Sequence, residues 1–514
     1  MLRRDFLVDL SRAAALCAVV PSGWRVIERP RYADDPFTLG VASGDPTPAG
    51  GVLWTRLAPR PLEPDGGMEG GRVAVAWEVA DDDRFTRIVR SGRATASFEL
   101  GYSVHAEVDG LAADRWYFYR FRSGGVTSPV GRLRTAPAIG ARTPLRLGAV
   151  SCQHWEQGLF TAFAHLAREE VDLVTHLGDY IYEYAGIAGR VRRHHGLEIR
   201  TLDDYRRRYA QYKGDAALQA AHARAPWLVT WDDHEVDNNY ADAVGENVME
   251  SDEQVRLRRA AAYQAWWEHM PVRVPRARSW ADLDITRSMA WGATARIHVL
   301  DTRQHRSDQA CGDGVHPVPC GNWAEPSRSL LGARQEGWLA QRLAAAPAVG
   351  WEVLAQQVMV ADYDSAPGAR RDLSMDQWNG YPAARERLMR AIAERAPNRT
   401  VVLTGDIHSS WVNELRAGYD RPDRAVVAAE FVATSITSGG DGGDTAPFIR
   451  REALAELPDV KWHDGRRGYT MHAVTPSGWT AEFRSLPFVT RPDAPLQTPT
   501  RWRLAAGRPG AERV

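Results

Sequence analysis

No stretch of this 514-residue chain approaches the roughly eighteen consecutive apolar residues of a spanning helix, so no transmembrane anchor is expected. Nothing repeats at solenoid spacing either. The net charge is only −1. That leaves no bulk basic field to recruit nucleic acid or an anionic membrane, and no stable nucleic acid partner is expected. Cysteine is scarce, at four residues. Cys17 follows "AAL" and lacks the small residue that precedes a lipid-modified cysteine, so it reads as no lipid anchor. Cys311 and Cys320 bracket "GDGVHPVP", a turn-rich loop in which a disulfide or two free surface thiols are the alternatives. Cys152 has no obvious partner.

What is present is ordinary for a globular protein, with 44% hydrophobic and 25% charged residues. The length favours two domains. The N-terminal "MLRRDFLVDLSRAAALCAVVPSG" sets Arg3-Arg4 and Phe6-Leu7 before a mildly apolar run. Residues 1–30 therefore read as a twin-arginine export signal, with the export machinery as a partner and the periplasm or medium as destination. Asp9 and Arg12 interrupt the run, and an amphipathic first helix is the alternative.

Residues 37–137 predict a run of short strands ("GVLWTRLAP", "RVAVAWEVA", "YSVHAEVDGL", "WYFYRFRSGG", "SPVGRLRTAP") and thus a small all-β, immunoglobulin- or fibronectin-like domain. After the linker-like "TAPAIGARTP", residues 145–495 alternate apolar strands with amphipathic helices. The fold class expected there is α/β, a layered β-sandwich flanked by helices.

Ligands of such domains gather beyond the C-terminal ends of the strands. "LRLGAVSC" ends in Cys152 and "VDLVTHLGDYIY" delivers Asp179 and Tyr182. "PWLVTWDDHEVDNN" delivers Asp232, Asp233, His234, Glu235 and then Asn238. "ARIHVLDTRQHR" delivers Asp301, Arg303 and His305, and "TVVLTGDIH" delivers Asp406 and His408. A single Asp in this setting is most often a turn or cap residue, and a single Cys a small buried hydrophobe. Five such ends at one sheet edge must be paired, metal-bound or titrated away, which favours a metal-centred site. Carboxylate and amide oxygens suit hard cations, whereas thiolate, imidazole and phenolate suit a more Lewis-acidic metal such as ferric iron. The mixture predicts two unlike metals, with Asp179 able to give one oxygen to each.

At these residues the sequence resembles the PhoD-like alkaline phosphatase family of metallophosphoesterases. "FTLGVASGDPTPAGGVLWTRL", "SCQHWEQGLFTAFAHLA", "HLGDYIYEY", "TWDDHEVDNNY", "DTRQHRSDQ", "LLGARQEGWL", "QWNGYPAARERL", "LTGDIHSSW", "EFVATSITSGG" and "WHDGRRGYTMHAVT" follow in that family's order. The resemblance implies a metallophosphoesterase fold and phosphate-ester hydrolysis by a metal-bound hydroxide at an iron–calcium centre, with Fe3+ and Ca2+ as cofactors. It implies Cys152, Asp179, Tyr182, Asp406 and His408 as metal ligands, and Asp233 or Asn238 on the calcium side. His234 is the expected proton donor to the leaving oxygen. Arg303 is expected to face phosphate, or else to pair with Asp301 or a neighbouring carboxylate. His305 stands where the family pattern has Tyr. Monoesters are the first substrate expectation. The alternatives are diesters of lipid, teichoic acid or nucleic acid, as for a phosphodiesterase or phospholipase D-like enzyme, and a secreted binding module with a structural metal site.

Overall fold

The computed structural model describes residues 26–247, 249–345, 349–418, 423–446 and 450–514. The export-signal reading rests mainly on residues 1–25 and, with Cys17, lies outside them. Among the described residues no helix is long and apolar enough to cross a membrane.

Two large sheets face each other. In one, the parallel strands Leu145–Val150, Leu173–His176 and Trp227–Val229 are flanked on the Leu145–Val150 side by an antiparallel meander of C-terminal strands, from Arg467–Thr475 to Glu512–Arg513. The other centres on four parallel strands, Ala295–Val299, Trp351–Ala355, Thr400–Thr404 and Val426–Val432. Leu147, Leu173, Ile297, Val353, Val401 and Phe431 fill the space between the sheets. These central strands are nearly continuous apolar runs because both of their faces are covered.

Helices close the outer faces. Leu202–Lys213, Ala216–Arg224 and Asp252–His269 bury Tyr205, Tyr209, Leu218 and Trp266 against the first sheet. Gly332–Ala344 and Pro382–Arg395 bury Leu339, Leu388 and Ile392 against the second. Capping boxes at Thr201 and Ser251 fix the starts of two of these helices. The helices Leu202–Lys213 and Ala216–Arg224 escape the periodicity reading, because the first buries two arginines and a lysine on its inner side, Arg206, Arg208 and Lys213.

The N-terminal strands do not stand apart. Val41–Thr47, Gly50–Arg56 and Ser103–Val108 continue the first sheet beyond Trp227–Val229, making ten strands in all. A separate six-stranded sheet, including Arg72–Ala80, Ile88–Ser97 and Trp116–Ser123, packs on them over Val41, Leu53, Val75, Val104, Tyr119 and Phe121. The join is a parallel pairing of Gly44 with Trp227. A methyl group on Gly44 would stand 2.1 Å from the Pro271 carbonyl oxygen and 2.7 Å from that of Trp227.

Gly44→Ala is therefore expected to destabilise the protein by about 1–3 kcal/mol or more, since backbone atoms cannot move aside for the new methyl. Thermal unfolding followed by circular dichroism checks this; an unchanged Tm would show that the seam yields at little cost.

Candidate metal centre

The parallel strands of both sheets end on the same side, and the two ends are tied together there. Ser151 bridges to Ser435, while Thr230 Oγ1 donates to the Leu300 carbonyl at 3.0 Å and accepts from Gln357 Nε2 at 2.6 Å. Into this seam project Cys152, Asp179, Asp232, Asp233, Arg303, Asp406 and His408.

The backbone is unusual at these positions. Cys152 (φ 57°), Asp179 (57°), Asp406 (60°) and His408 (52°) all occupy the left-handed region that non-glycine residues avoid. The strand ends turn sharply enough to aim the side chains back across the seam. Gly178, at φ 109°, allows the closest approach: a methyl there would lie 2.4 Å from Asp232 Cβ.

One buried carboxylate holds two of these turns together. Glu235 accepts hydrogen bonds from the amides of Asp179 (3.0 Å), Tyr180 (2.6 Å) and Asp232 (2.8 Å). Burial pushes its carboxyl up to about 7 despite those three donors.

On one side of Asp179 lies a softer set of groups. Tyr182 donates to Asp179 Oδ2 at 2.8 Å, and its oxygen lies 3.2 Å from His408 Nε2 and 2.7 Å from Ser438 Oγ. Cys152, Asp179 and His408 bring their ligand atoms within 4.8 Å of one another. Burial first, and the Asp179 charge second, push both the Cys152 thiol and the Tyr182 phenol well above their ordinary ranges. Burial and then Arg467 lower His408 to about 3, and Arg467 also donates to the His408 carbonyl.

On the other side lies an oxygen-rich set, in which Asp232, Asp233 and Asp406 again converge within 4.8 Å. The fully buried Arg303 pairs with Asp232 (2.5 Å), Asp376 (2.6 Å), Asp406 (3.3 Å) and Asp233 (3.6 Å). Gln377 Nε2 donates to the remaining oxygen of Asp406 at 2.5 Å. Burial pushes Asp406 up to about 6, and raises Asp179 and Asp232 well beyond the carboxylate range. Asp233 stays below that range, because Arg303 and His234 outweigh its burial.

The unsatisfied atoms decide what the site fits. Asp179 Oδ1, Asp232 Oδ2 and Asp233 Oδ1 are buried without a hydrogen-bond partner. Orphaned carboxylate oxygens cost free energy unless a cation takes them up. A thiol, a phenol and an imidazole beside them complete a donor set suited to metal.

Against the sequence expectations, Cys152, Asp179, Tyr182, Asp233, Asp406 and His408 come together. Asn238 does not join them through its amide nitrogen, which donates to Glu246 at 2.9 Å while its backbone amide binds Glu183. His234 sets Nδ1 2.9 Å from Glu183 Oε2 and lies tilted by 32° against the Tyr182 ring, centroids 4.0 Å apart. Arg303 takes the pairing alternative: its guanidinium is enclosed by carboxylates and keeps no open edge for phosphate. Asp301 caps the turn at Arg303 and Gln304, and His305 is exposed beside Gly332. Cys311 and Cys320 form a disulfide. Sequence reasoning did not single out Asp376, Gln377, Ser438 or Arg467. None of them stands at the end of a central strand, although each lies in or beside a motif segment.

The profile of the PhoD-like phosphatases matches residues 147–483, and that of their N-terminal domain matches residues 23–137. The chain belongs to the PhoD-like phosphatase family. It is 45% identical to alkaline phosphatase D of Bacillus subtilis (strain 168), across 100% of this chain and 89% of that one. A solved structure of PhoD superposes with a TM-score of 0.91 at 47% identity, covering 94% of this chain and 93% of its own. Purple acid phosphatase PPD1 from yellow lupin (Lupinus luteus) seeds shares the fold alone, with a TM-score of 0.56 at 13% identity over 92% of this chain and 74% of that one. Membership in the family makes this PhoD-like chain a phosphoric ester hydrolase.

Glu235 touches no proposed metal atom, yet it sets two ligand-bearing turns. Glu235→Gln is expected to weaken metal retention about 10–100-fold, because an amide cannot accept from all three backbone donors. Competition of the purified variant against a chelator, read by elemental analysis, checks this.

Proposed function

We propose that the protein is an exported alkaline phosphatase that hydrolyses phosphate monoesters at an iron–calcium centre. The observation that carries this reading is the set of three carboxylate oxygens without hydrogen bonds, one on Asp179 beside a thiol, a phenol and an imidazole and two on Asp232 and Asp233 within the aspartate group. Cys152, Tyr182 and His408 would hold iron, and Asp233 with Asp406 would hold calcium, with Asp179 shared. Asn238, bonded to Glu246, is the weaker candidate for the calcium side. When bound, the metals supply Lewis acidity and lower the pKa of water toward neutrality.

The chain's own residues prepare the site for that chemistry. Arg303 pairs with Asp232, Asp233, Asp376 and Asp406 at once, so its role is to position ligands. Glu183 orients His234 through Nδ1, leaving Nε2 as the atom to pass a proton to the leaving oxygen. The disulfide and the twin-arginine motif support export, because thiols pair in oxidising compartments.

Hydrolysis of 4-nitrophenyl phosphate and its bis(4-nitrophenyl) diester, with calcium and after chelation, tests the reading. Calcium-dependent turnover favouring the monoester is expected; preference for the diester would make the enzyme a phosphodiesterase. Turnover unaffected by chelation in protein stripped of both metals would overturn the metal centre. Asp179→Asn is expected to abolish turnover and lower both metals by elemental analysis. Tyr182→Phe is expected to lose the visible charge-transfer absorption of a ferric phenolate.

A further inference from the structure

A cavity of about 430 Å³ adjoins the aspartate side of the centre. Gln377 is the shared wall: it lines the cavity and donates to Asp406. Ile407, between Asp406 and His408, lines it too. The lining continues through Met359 and Tyr363 to Val315, on the strand Val315–Pro317 that the Cys311–Cys320 loop carries. This volume, with the large apolar surfaces of Val315, Met359, Tyr363 and Ile407 set among polar side chains, is that of a site for an organic group, not for phosphate alone.

Two polar features give the cavity a direction. Tyr363 is buried, yet its hydroxyl has no hydrogen-bond partner. Arg450, at the outer rim, is exposed and makes no ion pair among the described residues. Burial, and after it the Asp364 carboxylate, push the Tyr363 phenol up to about 12, and the Arg450 charge opposes them. The lining thus runs from Gln377 and Ile407 beside the carboxylates, through apolar Met359, Tyr363 and Val315, to Arg450, a cation with no ion pair among the described residues. Ser365, Ser374, Asn379 and an Asp372 already paired to Arg370 stand among the apolar groups.

We propose that this cavity receives the organic substituent of the phosphate ester, and that preferred substrates carry an apolar chain or ring ending in an anionic group. The proposal rests on the phosphatase reading and adds the substrate class. The apolar body would pack on Met359, Tyr363, Ile407 and Val315, with the terminal anion at Arg450.

Methyl phosphate, hexyl phosphate and 5-carboxypentyl phosphate test it, because they share a primary alkoxide leaving group and differ only in what the cavity holds. With the metal-loaded full chain, kcat/KM is expected to rise at least about tenfold from methyl to hexyl, and again on adding the carboxylate. Arg450→Ala, at an exposed position, is expected to erase the second rise and leave methyl and hexyl phosphate unchanged. Val315→Asp, also exposed, is expected to erase the first. Equal kcat/KM across the series overturns the cavity assignment, as does an Arg450→Ala loss shared by methyl phosphate. So does turnover of nitrophenyl esters with none of the three. No turnover of any ester by protein of full metal content overturns the phosphatase reading and this inference with it.

Discussion

Arg303 and its ring of aspartates set the terms for the rest of the molecule. Burying Asp232, Asp233, Asp376 and Asp406 around one guanidinium confines several negative charges where water cannot screen them. Removing one member of such a pairing costs about 3–5 kcal/mol, because its partners stay buried and uncompensated. One guanidinium also cannot balance four carboxylates. Burial, and after it the neighbouring carboxylates, drive Asp179, Asp232 and Asp406 upward, and a cation at this seam would relieve both. Arg306 and Gln309 extend the network by binding the same oxygen of Asp376, at 2.5 and 3.0 Å.

Such a cluster needs a rigid frame, and the sandwich provides it. The parallel strands deliver their ends to one edge, the interior between the sheets is apolar, and Gln357 and Thr230 stitch the ends across. Left-handed backbone at Cys152, Asp179, Asp406 and His408 stores strain that isolated turns would not keep. Surrounding packing must over-determine these turns, and the three amides bound to Glu235 are one visible part of that restraint. Strained backbone and crowded carboxylates thus share one cause: side chains from two sheets must meet within a few ångströms.

Much of this was legible in the sequence because the relevant signals are local. An apolar run that stops at a glycine and an aspartate marks both the strand and the group it delivers, as at Asp179 and Asp406. The layered order of strands and helices followed from the same runs. What was not legible depends on distant pairing. Nothing in "GVASGDP" announces that Gly44 will pair with Trp227 and lengthen the catalytic sheet. Asp376 follows a strand of three residues, Asp372–Ser374, which pairs only with the disulfide loop, so no long apolar run advertises it. Arg303 could be read equally as facing phosphate or as pairing with carboxylates. Only the placement of Asp376 and Asp406, in turns that follow other strands, decides between them.

The division of the site into two kinds of donor has a physical basis beyond ligand taste. Cys152 and Tyr182 are buried beside Asp179, so their neutral forms are strongly favoured when no cation is near. Only a strongly Lewis-acidic partner would draw them into their anionic forms against both burial and the neighbouring carboxylate. On the other side Arg303 and His234 outweigh burial and hold the Asp233 carboxylate ionised, although Asp232 and Asp406 beside it are raised, so at least one oxygen ligand there would need no proton removed before taking a hard cation. On the proposed reading the two sides would select differently through the work of deprotonation, and Asp179, with one oxygen on the Tyr182 hydroxyl and the other without a hydrogen bond, would be the group that couples them.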